Sequence, residues 1–156
     1  MRTTNFKDTA ELVGIAGIIL GLVLVTYELR QNNEQLAEQS RQSVADGVRQ
    51  VTLSVATSPE LARLISRDVP LEEMTDGEEL QLITWFMAWL KSAEHAFLQH
   101  KAGILEDEVW LARRSQALDM LERRKKIRSL YEWNRDYFVP EFVSDFDEAL
   151  IARKAR

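Results

Sequence analysis

The chain has no cysteine, which excludes disulfides, thiol catalysis and thiolate metal sites together. Histidine is nearly absent as well. His95 and His100 are the only two, and a separation of five turns them away from each other on a helix, so they do not supply the Glu-x-x-His pairs of a ferritin-like metal centre. HExxH, a phosphate-binding glycine loop, GxSxG and zinc-type spacings do not occur anywhere. Only three prolines stand in 156 residues, none of them between Glu28 and Thr57, so little interrupts a helix there. A net charge of −5 suits a soluble surface and gives no general case for nucleic-acid binding. No pattern points to a cofactor, a bound metal or a catalytic residue.

Charge is also missing from one long stretch. Leu12 to Tyr27, LVGIAGIILGLVLVTY, runs for sixteen residues without a charge, between Glu11 and Glu28. At 1.5 Å per residue it is about 24 Å long, somewhat short of a hydrocarbon layer of about 30 Å. Phe6 and Tyr27 make up the difference: they lie roughly 31 Å apart along a helix, at the two interfaces that favour aromatic rings. The ten Leu, Ile and Val residues of the run each favour insertion by about 0.3–0.6 kcal/mol. TYELRQNN, which follows, has no small-residue cleavage site of the signal-peptide kind, so the run reads as a retained single span.

Half of the six glycines sit in this run. Gly14, Gly17 and Gly21 follow a three-then-four spacing that makes one smooth stripe, and Gly17 with Gly21 is a GxxxG pair. In lipid, close backbone approach across small residues is a main source of helix association, so the stripe predicts a homo-oligomer. The absence of any ionisable residue in the span argues against a proton relay or a charged transport site.

From Glu28 to about Thr57 the sequence is rich in Gln, Asn and Ser, with Leu29, Leu36, Val44, Val48, Val51 and Val55 as a sparse apolar seam. This predicts a helical stalk over residues 28–57 that leaves the membrane, is polar almost all round between Gln31 and Ser43, and becomes amphipathic from about Val44. Residues 58–156 are then a helical bundle. Ser58 and Pro59 open a short helix to about Arg67, Asp68 to Met74 connects, and Thr75 with Glu78 forms a capping box for a helix to about Lys101, with Gly103 just past its end. On that helix Leu80, Ile83, Met87, Leu90, Glu94 and Phe97 share a stripe while Leu82, Trp85, Phe86 and Trp89 cover other faces, which predicts a helix buried on several sides. A further helix starts near Asp107, whose acidic first turn suits a helix N-terminus. It is followed by one over Ile127 to Asn134 and a last one carrying Phe142 and Phe146. The fold class is all-α: an N-terminal transmembrane helix (1–27), the stalk, and the bundle.

Two sets of residues are chemically conspicuous. Glu94 interrupts an apolar stripe, and a carboxylate in a core needs a cation or hydrogen-bond donors. Arg113 and Arg114 on the next helix are the candidate partners in a buried ion pair, and an acid–base or metal role of Glu94 with His95 and His100 is the enzymatic alternative. Arg123, Arg124, Lys125, Lys126 and Arg128 are five cations in six residues. They are candidates to hold anionic lipid headgroups, at about 1 kcal/mol each near a membrane surface.

YELRQNN after an apolar helix, SPELARL, EHAFLQHKAGILEDEVW and RDYFVPEF together resemble a widespread group of uncharacterised small bacterial single-pass membrane-anchored helical proteins. The resemblance spans most of the chain, with Tyr131 where that pattern would carry tryptophan. It implies a bacterial inner-membrane protein and no reaction, cofactor or catalytic residue. The expectation is a membrane-tethered, self-associating scaffold, adaptor or regulatory module whose partners are membrane lipid, further copies of itself or another membrane protein, and not nucleic acid. A small homo-oligomeric channel or transporter accessory is the alternative. Arg2 and Lys7 on one side of the span and Arg30 and Arg41 on the other leave the positive-inside rule balanced. A chain with nothing to staple in an oxidising compartment places the bundle in the cytoplasm.

Overall fold

The computed structural model describes residues 3–67 and 70–155, with side chains from residue 9 onward. Arg2, Asp68 and the side chains of Phe6 and Lys7 lie outside the described residues. Helices and short 3-10 turns are the only regular elements among those described: α1 (Thr3–Ala56), α2 (Pro59–Ser66), α3 (Asp76–Lys101), α4 (Asp107–Arg123), α5 (Lys125–Trp133) and α6 (Pro140–Lys154). The protein is all-α, a long N-terminal helix followed by a smaller helical bundle. Two compact units are present, residues 1–38 and 39–156.

Between Thr9 and Leu36 α1 is exposed on every side. Each of the ten Leu, Ile and Val residues between Leu12 and Val25 is more than half exposed, and α1 is long and apolar enough to cross a membrane.

The second unit begins inside α1, so the last turns of that helix belong to the bundle instead of to a free stalk. The reason is local packing. Val44 is buried, Val51 and Val55 pack against the core, and a Cβ on Gly47 would lie 3.4 Å from the Ser92 Cβ of α3. The covered face also starts earlier than the expected Val44, at the buried Ser40.

Helix ends follow their local chemistry. Ser58 Oγ accepts from the Leu61 N–H at 3.2 Å, and Pro59 sits in the first turn of α2, where a missing N–H costs nothing. The capping box of α3 is closed in both directions, Glu78 N–H to Thr75 Oγ1 at 3.4 Å and Thr75 N–H to Glu78 Oε2 at 3.1 Å. At its other end Gly103 takes φ +70°, the Ile104 N–H reaches Gln99 O at 3.0 Å and the Gly103 N–H reaches His100 O at 2.9 Å. That pair of bonds is a Schellman motif, which requires the left-handed residue glycine accepts most readily.

Glu106, at the N-cap of α4, does not cap its own helix. Its carboxylate takes both arms of the Arg41 guanidinium from α1, one of them Nε to Oε2 at 3.0 Å, and this holds its pKa down at about 2. A depressed carboxylate stabilises the fold above its unfolded value of about 4.5, and that contribution fades as pH falls towards about 2. Glu106→Gln is therefore expected to flatten the acid side of a plot of melting temperature against pH, followed by circular dichroism. An acid limb identical to that of the wild type would show that the pair does not contribute to folding.

Helix α3 is the centre of the bundle, with Leu82, Phe86, Leu90, Ala93 and Ala96 fully buried against partners that include Ala117 and Leu121 of α4 and Ile127 and Leu130 of α5. Trp85 and Trp89 stack at 5.9 Å and are core residues. The expected stripe is corrected at its start: Leu80 is 67% exposed and Ile83 and Met87 are half-buried, because the deepest face of the helix runs through residues 82, 86, 90, 93 and 97. On α6, Phe142, Phe146 and Leu150 form one buried stripe four residues apart. Phe142 lies 5.7 Å from Phe97 and 4.3 Å from Phe146, and Phe146 lies 6.2 Å from Trp110. Rings from α3, α4 and α6 thereby close the far end of the core.

Candidate functional sites in the helical domain

Glu94 is 6% exposed, but neither Arg113 nor Arg114 is its partner. Its Oε2 pairs with Lys91 Nζ at 2.6 Å, one turn earlier on the same helix, and its Oε1 accepts the Val139 N–H at 2.6 Å. Lys91 Nζ also donates to Tyr137 O at 2.5 Å and lies 4.7 Å from the centre of the Phe138 ring. Val139 is the N-cap of α6, so the carboxylate sits where the positive end of a helix favours it. Glu94 and Lys91 form a clamp that fastens the turn before α6 onto α3.

The two arginines serve other contacts. Arg113, buried, donates to Trp89 O at 3.1 Å, Ser92 Oγ at 2.6 Å and Gln116 Oε1 at 2.9 Å. No carboxylate lies within ion-pair distance of it among the described residues, and desolvation brings its pKa down to about 10. Arg114 Nε lies 2.7 Å from Asp145 Oδ2 and its Nη2 donates to Asp145 O at 2.8 Å, which ties α4 to α6. Burial pushes the Asp145 carboxyl up while Arg114 pulls it down.

The enzymatic alternative required Glu94, His95 and His100 to act together, and the geometry separates them. His95 Nε2 is 3.2 Å from Ser43 Oγ of α1. His100 stacks on Trp110 at 6.1 Å and faces Leu105 O at 3.4 Å and Asp107 Oδ1 at 3.5 Å. No group of three His, Asp or Glu side chains is placed to hold a metal among the described residues.

The basic run is corrected as a lipid patch. Lys126 is buried and donates to Leu64 O at 2.5 Å and Arg67 O at 2.8 Å, while Arg124 Nη1 donates to Ile65 O at 3.0 Å and Ser66 O at 3.1 Å. Both cap the C-terminal carbonyls of α2, where cations are favoured. Arg128 pairs with Glu132 at 3.0 Å. Arg123 and Lys125 are exposed, and two cations are a weak electrostatic anchor beside five.

The sequence did not single out the groove between α1 and α3. It has a volume of about 610 Å³, and its lining includes Gly47, Val51, Leu61, Leu80, Trp85 and Ala88. Its walls combine apolar groups with the neutral polar side chains of Gln50, Ser54, Gln81, Thr84 and Ser92 and carry no titratable side chain, so it offers surface contact and no acid or base. In the first unit, a Cβ added to Gly14, Gly17 or Gly21 would meet nothing within 4 Å, so nothing in a single chain covers the glycine stripe. No family model, curated protein or solved structure matches the chain.

Proposed function

We propose that the protein is a membrane-tethered, self-associating helical scaffold or adaptor, held in a bacterial inner membrane by a single helix. The observation that carries this reading is the shell of ten aliphatic side chains between Leu12 and Val25, every one more than half exposed around the full circumference of α1. In water such a shell is strongly unfavourable, whereas in hydrocarbon the ten together favour insertion by about 3–6 kcal/mol. The bundle contributes a closed core, with its buried charges paired or bound to backbone carbonyls and its reactive side chains held apart. This suits a module that presents surfaces better than one that carries out a reaction.

Self-association rests on the glycine stripe. Because a Cβ there meets nothing else within a single chain, Gly17→Leu/Gly21→Leu is expected to act on contacts between copies. The mass of the full chain in detergent, by light scattering with the bound detergent subtracted, is expected to be that of a defined oligomer in the wild type and lower in the double variant. A monomeric wild type would sink the self-association reading and leave only a tether.

A further inference from the structure

We infer that a second copy of this chain packs in parallel and in register against α1 along a seam of Leu22, Leu29 and Leu36, which carries the interface out of the apolar run into the polar part of the helix. The inference rests on the self-association reading above and names the face that associates.

Residues 28–36 are exposed on every side, although this segment is helical throughout. A lone helix in water is marginal, and one that is polar almost all round needs a neighbour to persist. Its few apolar groups are not scattered. Leu22, Leu29 and Leu36 recur every seven residues and are 63%, 58% and 43% exposed, and Val25 and Asn32 fall three residues after the first two. A strict seven-residue repeat keeps one face towards a partner through a left-handed supercoil, which a pattern suited to burial against a single globular domain does not require.

The charges obey the same register. With the leucines at the first heptad position, Arg30, Glu34 and Glu38 all fall on the outer positions, and Arg30 and Glu34 face each other there at 4.0 Å. The core and flanking positions from Leu29 to Gln39 hold only Leu, Asn and Gln, so two identical helices in register meet no like charge. Glu28 stands on a flank, and in a parallel pair it faces Asn33 of the second copy, whose amide can donate to it. Asn32, at the fourth heptad position of the seam, finds an amide partner only when the copies are in register.

Orientation and strength follow from the tether. Copies anchored by the same N-terminal helix in the same bilayer run parallel. Two leucine layers beyond the membrane do not hold two chains together from dilute solution, but helices already confined side by side have a high effective concentration. Gly14 and Gly21, also seven apart, lie on the flank of the same register, whereas Gly17 falls on an outer position, so the seam takes its close approach from Gly14 and Gly21 and not from the Gly17–Gly21 pair.

A chain without cysteine permits a clean test. Asn32→Cys and Glu34→Cys, each in the full chain in detergent, are oxidised with copper phenanthroline and read on a non-reducing gel. A disulfide needs Cα atoms within about 7 Å, which seam positions of a two-stranded coil satisfy and outer positions do not. Asn32→Cys is expected to cross-link to a dimer several-fold more completely than Glu34→Cys. Equal cross-linking of the two, or none at position 32 in a protein whose wild-type mass is oligomeric, overturns the seam and leaves self-association standing. A monomeric wild type overturns both.

Discussion

Phe142→Ala is expected to remove about 3–5 kcal/mol of stability from the bundle, a large share of the 5–15 kcal/mol that a domain of this size commands. Phe142 is fully buried and sits between rings of three elements, with Phe97 of α3 at 5.7 Å, Phe138 before α6 at 5.8 Å and Phe146 one turn on at 4.3 Å. Deleting the ring loses its own transfer free energy and opens a cavity that these rigid neighbours fill poorly. It also frees α6 from α3 at the point where the last helix first touches the core. Phe142→Leu keeps most of the volume, and a loss of no more than about 1.5 kcal/mol is expected from it. Urea unfolding of the full chain in detergent, followed by tryptophan fluorescence, to which the buried Trp85, Trp89 and Trp110 contribute, separates the two. A midpoint for Phe142→Ala within error of that for Phe142→Leu would mean that α6 is not seated on the core through this ring.

That ring cluster shows what local sequence encodes. Phe142, Phe146 and Leu150 announce their face by spacing alone, and Thr75 with Glu78, Ser58 with Pro59, and Gly103 each mark a helix end through bonds that span five residues or fewer. Contacts between residues distant in sequence are not written in spacing. Lys126 and Arg124 look like part of a basic surface run because the carbonyls that bind them belong to α2, some sixty positions earlier. Arg41 and Glu106 are 65 residues apart, and nothing in either segment names the other. The exposure of Leu80 has the same origin: its helix repeats correctly, but only the placement of α1 leaves a groove beside it.

The candidate site was partly legible for a related reason. A carboxylate inside an apolar stripe signals by itself that a partner is required, since an unpaired buried charge is prohibitive. Which cation answers depends on reach. Arg113 and Arg114 lie on the packed neighbour but are held by Ser92, two backbone carbonyls, Gln116 and Asp145. Lys91, three residues before Glu94, needs only its flexible stem to reach both the carboxylate and Tyr137 O. The second partner, the Val139 N–H, is a backbone group that no composition argument can identify.

Glu94→Ala is expected to cost about 2–4 kcal/mol, below the full value for breaking a buried pair because the Lys91 side chain keeps 45% of its exposure and regains water. The loss has two parts: the Val139 N–H at the N-cap of α6 gives up its acceptor, and Lys91 gives up its counter-charge. Glu94→Gln divides them, since its amide oxygen can still accept from Val139 while its neutral head no longer offsets the ammonium. About 1–2 kcal/mol is expected there. Lys91→Met leaves the carboxylate desolvated with one bond remaining. A double-mutant cycle of Glu94→Gln with Lys91→Met should therefore show a coupling of about 0.5–3 kcal/mol, measured by urea unfolding. A coupling near zero would mean that the pair contributes nothing as a pair and that the clamp is the Val139 bond alone. Full stability of Glu94→Ala would be the more damaging result, because a buried carboxylate that does not support the fold must be kept for chemistry at that position. The separation of Glu94 from His95 and His100 argues against such chemistry.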